Sequence, residues 1–455
     1  MGTAQRWTQI VRQTLVAVMI APAVTIHNRG MQCSARGIND LNITLIPLAF
    51  FIIHEIINDM THADLILRKH ALDSVVRGIR TTYPFQTRER MKRFDRLCAA
   101  FEKKLPMIQT DREFFLLLER LIVSLRDSHT NLASYPTKKF FAPPGYKIEM
   151  VGRDVHLFKR GRWLGKILSI GGSPIKSLMS LWAKRVAASS KQFRSVRVKD
   201  SLRLNERNTP LEVMVQTTNK RRMRLSLACR KIVPKTLSNR NLVSARVIDG
   251  IGYLRISTWS GEYSQQIKSL CDSAFDGFTR KNVRALIIDV RGNQGGDSKI
   301  AAYIAGRFFT NRVLFGVTKT RISKSNLRYR TIRAHVEPRQ PHIPFPLILL
   351  VDAYCHSTNE YFIAGLKDNK RAILIGQTTA GGSGNPTMVE IPYRESKLKI
   401  RIATWRYYRA NGAPLERKGI KPNIIVKPTI EDLKNGRDVV LERAIKKAKQ
   451  IQAPI

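Results

Sequence analysis

Two short stretches hold the residue types that acyl transfer requires. One runs Asp289-Val290-Arg291-Gly292-Asn293-Gln294-Gly295-Gly296, after an apolar run. The other places Ser357 between the apolar run 346–351 and a helical pattern that begins at Thr358. Each passes from a buried apolar strand through a polar turn into an amphipathic helix. Gly295 and Gly296 offer backbone N–H groups with no side chain in the way. Either one, with the N–H of Thr358, would make an oxyanion pocket. Ser357 offers a hydroxyl at the positive end of a helix, where a developing anion is favoured. A plainer reading makes Ser357 the N-cap of that helix, with Glu360 completing a capping box, and local sequence alone favours the cap. No Gly-Lys-Ser/Thr follows the glycines, which argues against a nucleotide role. Cys355 reads as a small packing residue, and Asp289 and Arg291 as stabilisers of their turn.

The elements that must carry these turns change character along the chain. Residues 61–135 place apolar side chains at helical spacing, are broken at Pro106, and end in the turn Asp127-Ser128-His129-Thr130. Residues 146–235 alternate as short strands. Within them, Gly165-Lys166-Ile167-Leu168-Ser169-Ile170-Gly171-Gly172-Ser173-Pro174-Ile175 resembles the G-x-x-I-x-x-I-N-G-x-P stretch of PDZ domains, with Gly171 where Asn is usual. From Ile248 onward strands and helices alternate, which predicts an α/β core with a largely parallel sheet. A β-rich stretch follows, and a basic helix over 430–449 closes the pattern. The expected class is therefore multi-domain α/β (α+β). Its parts are a hydrophobic N-terminal segment (1–58), a helical domain (59–135), a small PDZ-like β domain (140–245), the α/β core (246–430) and a C-terminal basic helix (431–455).

Composition narrows the options. Seventy-nine Lys and Arg against 34 Asp and Glu give a net charge of +45, spread along the chain. Such a charge favours anionic surfaces or acidic substrates. No zinc knuckle, RNP motif or basic zipper accompanies it, so specific nucleic-acid binding is not expected. The five cysteines form no CxxC or Cys/His metal spacing, and no metal or cofactor is expected. Arg6 and Arg12 precede the apolar run 14–26, and Ala21-Pro22-Ala23 has the form of a cleavage site. This predicts export, periplasmic or extracellular, with a second apolar run at 43–57 as a possible anchor.

Several landmarks then recur in a fixed order: Gly252-Tyr253-Leu254, Asp289-x-Arg291-x-Asn293-x-Gly295-Gly296, Ser357-x-x-Glu360, Gly376-x-x-Thr379 and Gly419-Ile420-Lys421-Pro422-Asn423. Together they resemble the tail-specific, or C-terminal processing, serine peptidase family (S41), which also includes the tricorn core protease. The similarity spans 61–430 and is densest over 250–430. In that family the serine of S-x-x-E is the nucleophile, which implies Ser357. Processing peptidases of the family usually carry a lysine base in G-E-P-T-x-G-K, but here the lysine position is Gly382. The tricorn-like branch uses a histidine preceded by a serine, plus a distant glutamate. The resemblance therefore implies His129 as base, with Ser128 and Glu416 as its orienting partners, and a carboxylate that raises the histidine pKa. The implied activity is a metal-free, ATP-independent serine endopeptidase acting on protein or peptide substrates. The alternatives are a non-catalytic ligand- or peptide-binding protein on the same scaffold, and a binder of anionic polymers suggested by charge alone.

Overall fold

The computed structural model describes residues 62–451, apart from 135–139, 207, 233–237 and 323–327. The expected signal or anchor segment, 1–58, lies outside the described residues. No helix among the described residues is long and apolar enough to cross a membrane.

The chain begins with helices α1 (62–82), α2 (Arg88–Glu102) and α3 (Asp111–Val123). Thr110 and Glu113 close a capping box at the start of α3, satisfying backbone N–H groups that have no helical partner. Phe114, Phe115, Leu118, Leu121 and Ile122 then recur at helical spacing and bury one face. That face does not pack only on helices. Its core is completed by Ile391, Tyr393, Leu398, Ile400 and Ile402 from a hairpin at 387–402. Tyr393 stacks on Phe114 with ring centroids 5.6 Å apart and donates its hydroxyl to Asp111 Oδ1 at 2.7 Å. Directly after α3 the chain turns through 127–130 into strand β1 (Asn131–Ser134), which pairs antiparallel with the same hairpin.

The small β domain is an antiparallel sheet of β2 (Tyr146–Val151), β3 (Asp154–Lys159), β4 (Arg162–Ile170), β5 (Leu211–Gln216) and β6 (Arg222–Leu227), in that order. Helices α4 (Ile175–Ala183) and α5 (Lys191–Ser201) connect β4 to β5. The residues between and within these helices reach the large domain. Ser190 Oγ donates to the Ala380 carbonyl at 2.5 Å, and Gln192 Nε2 to the Thr379 carbonyl at 2.8 Å.

The large domain opens with β7 (Val243–Ile248), β8 (Ile251–Ile256), α6 (Ser264–Arg280), β9 (Ala285–Asp289) and α7 (Ser298–Ala305). It continues through β10 (Val313–Arg321), β11 (Tyr329–Val336), β12 (Leu347–Val351), α8 (Thr358–Asp368) and β13 (Ala372–Gly376). After the hairpin strands β14 (Thr387–Tyr393) and β15 (Ser396–Ile402) come β16 (Trp405–Arg409), β17 (Ile424–Ile425) and α9 (Val439–Gln450). The main sheet has the order β7-β8-β9-β12-β13-β17. All its pairs are parallel except β7 with β8. Every residue of β9 and β12 is buried, as expected for parallel strands covered on both faces. One cover includes α6, α7 and α8. The other is α9, whose Val440, Ala444 and Ala448 pack on Ile287, Ile348 and Leu350.

The C-terminal helix expected over 430–449 is two helices. Gly436, at φ +64°, ends the short Ile430–Lys434 helix, and Asp438 caps α9 by accepting from Leu441 N at 3.1 Å. Because β9 and β12 are sheet neighbours, the turns at their carboxyl ends, 290–297 and 352–357, lie side by side. Ligands of open α/β sheets gather in such a crevice.

Candidate active site

The β9 turn is held by a buried carboxylate. Asp289 accepts from the Tyr253 hydroxyl at 2.8 Å and from Arg255 at 3.1 Å, while Arg291 binds it through Nε at 2.9 Å and Nη2 at 2.7 Å. Arg291 also bridges to Asp438, linking the turn to the start of α9. Both residues are scaffold. Within the turn, Gly295 N–H is committed to Asn293 Oδ1 at 2.9 Å. Gly296 N–H has no partner among the described residues, and neither does Thr358 N–H, the first of α8. Gly296 packs so tightly on the Trp259 main chain that a Cβ would lie 2.1 Å from the Trp259 carbonyl oxygen.

The β12 turn is organised by Asp352, whose Oδ1 accepts from Gly292 N at 3.1 Å, Tyr354 N at 3.0 Å and Cys355 N at 3.1 Å. Cys355 is buried, and burial pushes its thiol well above the usual range. It is a packing residue. Ser357 follows at φ +59° and ψ −126°, a region that costs a non-glycine residue about 1–3 kcal/mol and clusters at functional sites. Its side chain makes no capping bond. The simple cap reading therefore fails. Glu360 accepts from the Thr379 hydroxyl, from Gly381 N at 2.7 Å and from Gly382 N at 2.9 Å. Burial raises its pKa to about 7.

The Ser357 hydroxyl instead meets His129. Ser357 Oγ and His129 Nε2 are 2.9 Å apart, although 228 residues separate them in sequence. His129 sits in a turn shaped by Asp127, whose Oδ1 accepts from His129 N at 2.7 Å and Thr130 N at 3.1 Å. Thr130 Oγ1 accepts from Ala403 N at 3.1 Å, docking the turn on the end of β15. His129 is 6 % exposed. Burial, and then the charge of Arg401, lower its pKa to about 4. The expectation that Glu416 would raise it is overturned, because Glu416 does not touch the ring.

Ser128 and Ser189 stand between them. Ser128 Oγ is 3.5 Å from His129 Nδ1, 2.9 Å from Ser189 Oγ and 2.7 Å from His356 Nε2. Ser189, which follows α4, also accepts from Ser128 N at 3.0 Å, and its hydroxyl lies near enough to the Glu416 carboxyl to lower the carboxyl pKa, although Glu416 Oε1 has no hydrogen-bond partner among the described residues. Glu416 Oε2 accepts from Ser383 N at 3.1 Å. Burial and the nearby Asp127 hold the Glu416 carboxyl well above the usual range, and burial raises Asp127 too, against the His129 main-chain N–H that bonds it. Ser128, His129 and Ser357 are thus hydrogen-bonded in one network, and Glu416 lies beside it. Sequence reasoning missed Ser189 and His356 as members. His356 stood beside the candidate nucleophile and was open to notice, whereas no motif marks Ser189.

These groups open onto a cavity of about 620 Å³, whose lining includes Ser357, His129, His356, Trp182, Phe193 and Arg401. Among the described residues no cluster of side chains is suited to hold a metal ion. Residues 250–426 match the sequence model of Peptidase family S41. The resemblance read from the sequence therefore holds over the part of the chain that carries Ser357 and Glu416.

Among similar proteins, the carboxy-terminal-processing protease of Bartonella bacilliformis is 26% identical over 201 residues, covering 44% of this chain and 44% of the relative. The carboxy-terminal processing protease CtpA of Bacillus subtilis is 28% identical over 177 residues, covering 39% and 35%. The match spans less than half the length of either relative. The fold extends further than the sequence likeness: mature CPAF complexed with lactacystin superposes with a TM-score of 0.70 at 14% identity, covering 85% of this chain and 98% of that one.

Gly382 occupies the place where the processing peptidases are expected to carry lysine. A Cβ there would lie 2.2 Å from Ser128 Oγ and 2.5 Å from His356 Nε2. The space a lysine would enter is occupied by the Ser128–His356 pair, so a side chain at 382 would have to displace it.

Proposed function

We propose that the chain is a serine endopeptidase of protein or peptide substrates, with Ser357 as nucleophile and His129 as base. The observation that carries this reading is the 2.9 Å contact between Ser357 Oγ and His129 Nε2 at the mouth of a cavity. His129 Nε2 takes the Ser357 proton as Oγ attacks the scissile carbonyl carbon. The oxyanion is received by the N–H groups of Gly296 and Thr358, and Gly295 supports the turn through Asn293. His129 returns the proton to the departing amine as the C–N bond breaks. A water molecule, deprotonated by His129, then hydrolyses the acyl-enzyme and restores the Ser357 hydroxyl. Ser128 receives His129 Nδ1–H, and Glu416 acts on Ser128 through Ser189. The steps balance without ATP or a metal.

The small β domain supplies cavity residues such as Trp182 and Phe193, which supports a role in holding extended peptide beside Ser357. Basic side chains around the cavity favour acidic substrates and anionic surfaces, and the N-terminal apolar runs favour export. Fluorophosphonate labelling of purified protein tests the central claim. Ser357 should be labelled, and Ser357→Ala should abolish both labelling and hydrolysis of an unfolded substrate. Wild-type protein that resists the reagent and leaves substrate intact would move the assignment to a binding protein on the same scaffold.

A further inference from the structure

His356 immediately precedes Ser357, and its ring lies flat between two others. The His129 ring is 4.4 Å away at 22°, and the Phe193 ring 4.8 Å away at 11°. The ring is only 8% exposed. Its edge is fully engaged. Nε2 is 2.7 Å from Ser128 Oγ, the shortest contact that hydroxyl makes, and the Gln294 main chain lies where it favours a proton on the ring. A neutral imidazole has one N–H. Placed on Nδ1, that proton leaves Nε2 only a lone pair to offer. Gly382 packs directly on the pair, leaving no room for a methyl group between them and its main chain.

Ser128 carries one proton and three polar neighbours. The only neighbour that must accept is His356 Nε2. Once the Ser128 O–H points there, its oxygen can only accept from Ser189 and from His129 Nδ1–H. A proton on His129 Nδ1 leaves Nε2 bare, opposite the Ser357 hydroxyl. Without the acceptor at 356, the Ser128 O–H is free to turn toward His129 Nδ1. That would place the imidazole proton on Nε2, the tautomer that cannot accept from Ser357.

We infer that His356 is a positioning residue: by accepting the Ser128 hydroxyl proton at Nε2, it fixes His129 in the tautomer whose Nε2 can take the Ser357 proton. The inference rests on the peptidase reading and adds the element that sets the direction of its hydrogen bonds.

Ring ¹⁵N spectra of histidine-labelled wild-type protein at neutral pH test the premise directly. His356 and His129 should both be protonated on Nδ1 and bare on Nε2. A proton on His356 Nε2 overturns the inference whatever the variants do. The functional test is His356→Phe, which keeps the aromatic slab and removes the acceptor. Its kcat should fall between about tenfold and about 100-fold with little change in KM, less than the full contribution of proton transfer, about 10²–10⁴-fold, and the His129 tautomer should become mixed. In a Ser128→Ala background, His356→Phe should cause no further loss. Losses that multiply across the two backgrounds mean that His356 acts elsewhere, and sink the inference. Should His356→Phe fail to fold, the wild-type spectrum alone decides. Failure of the peptidase reading is separate: it shows as wild-type protein that fluorophosphonate does not label.

Discussion

His129 combines a base's position with an unusually low proton affinity. Its pKa of about 4 follows from burial first and from Arg401 second. A base must be neutral to act, so kcat/KM should stay level as pH falls through about 6.5, where free histidine titrates, and drop only near 4. Arg401→Gln removes the opposing charge and should move that acidic limb upward. A wild-type limb at the ordinary histidine value, unmoved by Arg401→Gln, would contradict the buried environment. Glu416 errs in the other direction. Its raised carboxyl pKa means that the folded state prefers the protonated form. As pH rises past about 4.3, the unfolded chain releases this proton first and stability falls toward the folded pKa. Glu416→Gln should therefore raise Tm at pH 7.5, with the difference closing near pH 4, while slowing hydrolysis. An unchanged rate would remove Glu416 from the mechanism and leave the Ser–His pair standing. Ser357 and His129 were legible in the sequence because each sits in a short ordered motif. Ser189 was not, since a lone serine after a helix gains its role only when Ser128 arrives at 2.9 Å through tertiary docking. The capping signature at Ser357 and Glu360 was misleading for a physical reason. Positive φ turns the serine away from the helix, and Glu360 is drawn to the 379–382 loop.

At the scale of elements, the strand–helix alternation after Ile248 predicted the parallel sheet, because strands buried on both faces read as unbroken apolar runs. Which core the β14–β15 hairpin completes could not be read the same way. Its alternating pattern says that one face is buried but not against what, and its partners α3 and β1 lie far back in the chain. The pairing matters for the site, since β1 and the end of α3 flank the turn that carries His129. Tyr393, 1% exposed and stacked on Phe114, is the hairpin's main anchor in that core. Tyr393→Ala should destabilise by about 3 kcal/mol or more, as large-to-small changes at buried aromatics do. Fluorophosphonate labelling should be lost at a lower denaturant concentration than in the wild type, in step with that change. Labelling that survives at the wild-type midpoint despite the loss of stability would show that the His129 turn holds its place without the hairpin.

Across the whole molecule the net charge is +45, and Arg197 and Arg401 place positive charge on the cavity lining itself. Steering by such a field is screened over about 8–10 Å at 0.10–0.15 M salt. For a peptide with acidic residues flanking the scissile bond, kcat/KM should fall as salt rises from about 0.05 M to about 0.5 M, with little change for a neutral peptide of the same length. Equal salt dependence for both would detach the charge from substrate capture. The order in which the chain supplies its site carries a separate consequence, for biosynthesis. His129 and Ser128 come first, Ser189 next and Ser357 much later. Glu416 comes later still, in the segment whose Ile420 binds both the main chain and the hydroxyl of Thr379. Synthesis delivers these pieces from the N-terminus onward. A ribosome-bound chain can therefore display its nucleophile and its base while the loop that closes around them has no anchor. On this assignment the nascent protein is harmless to its neighbours until Glu416 has left the ribosome, and it needs no separate inhibitor during translation.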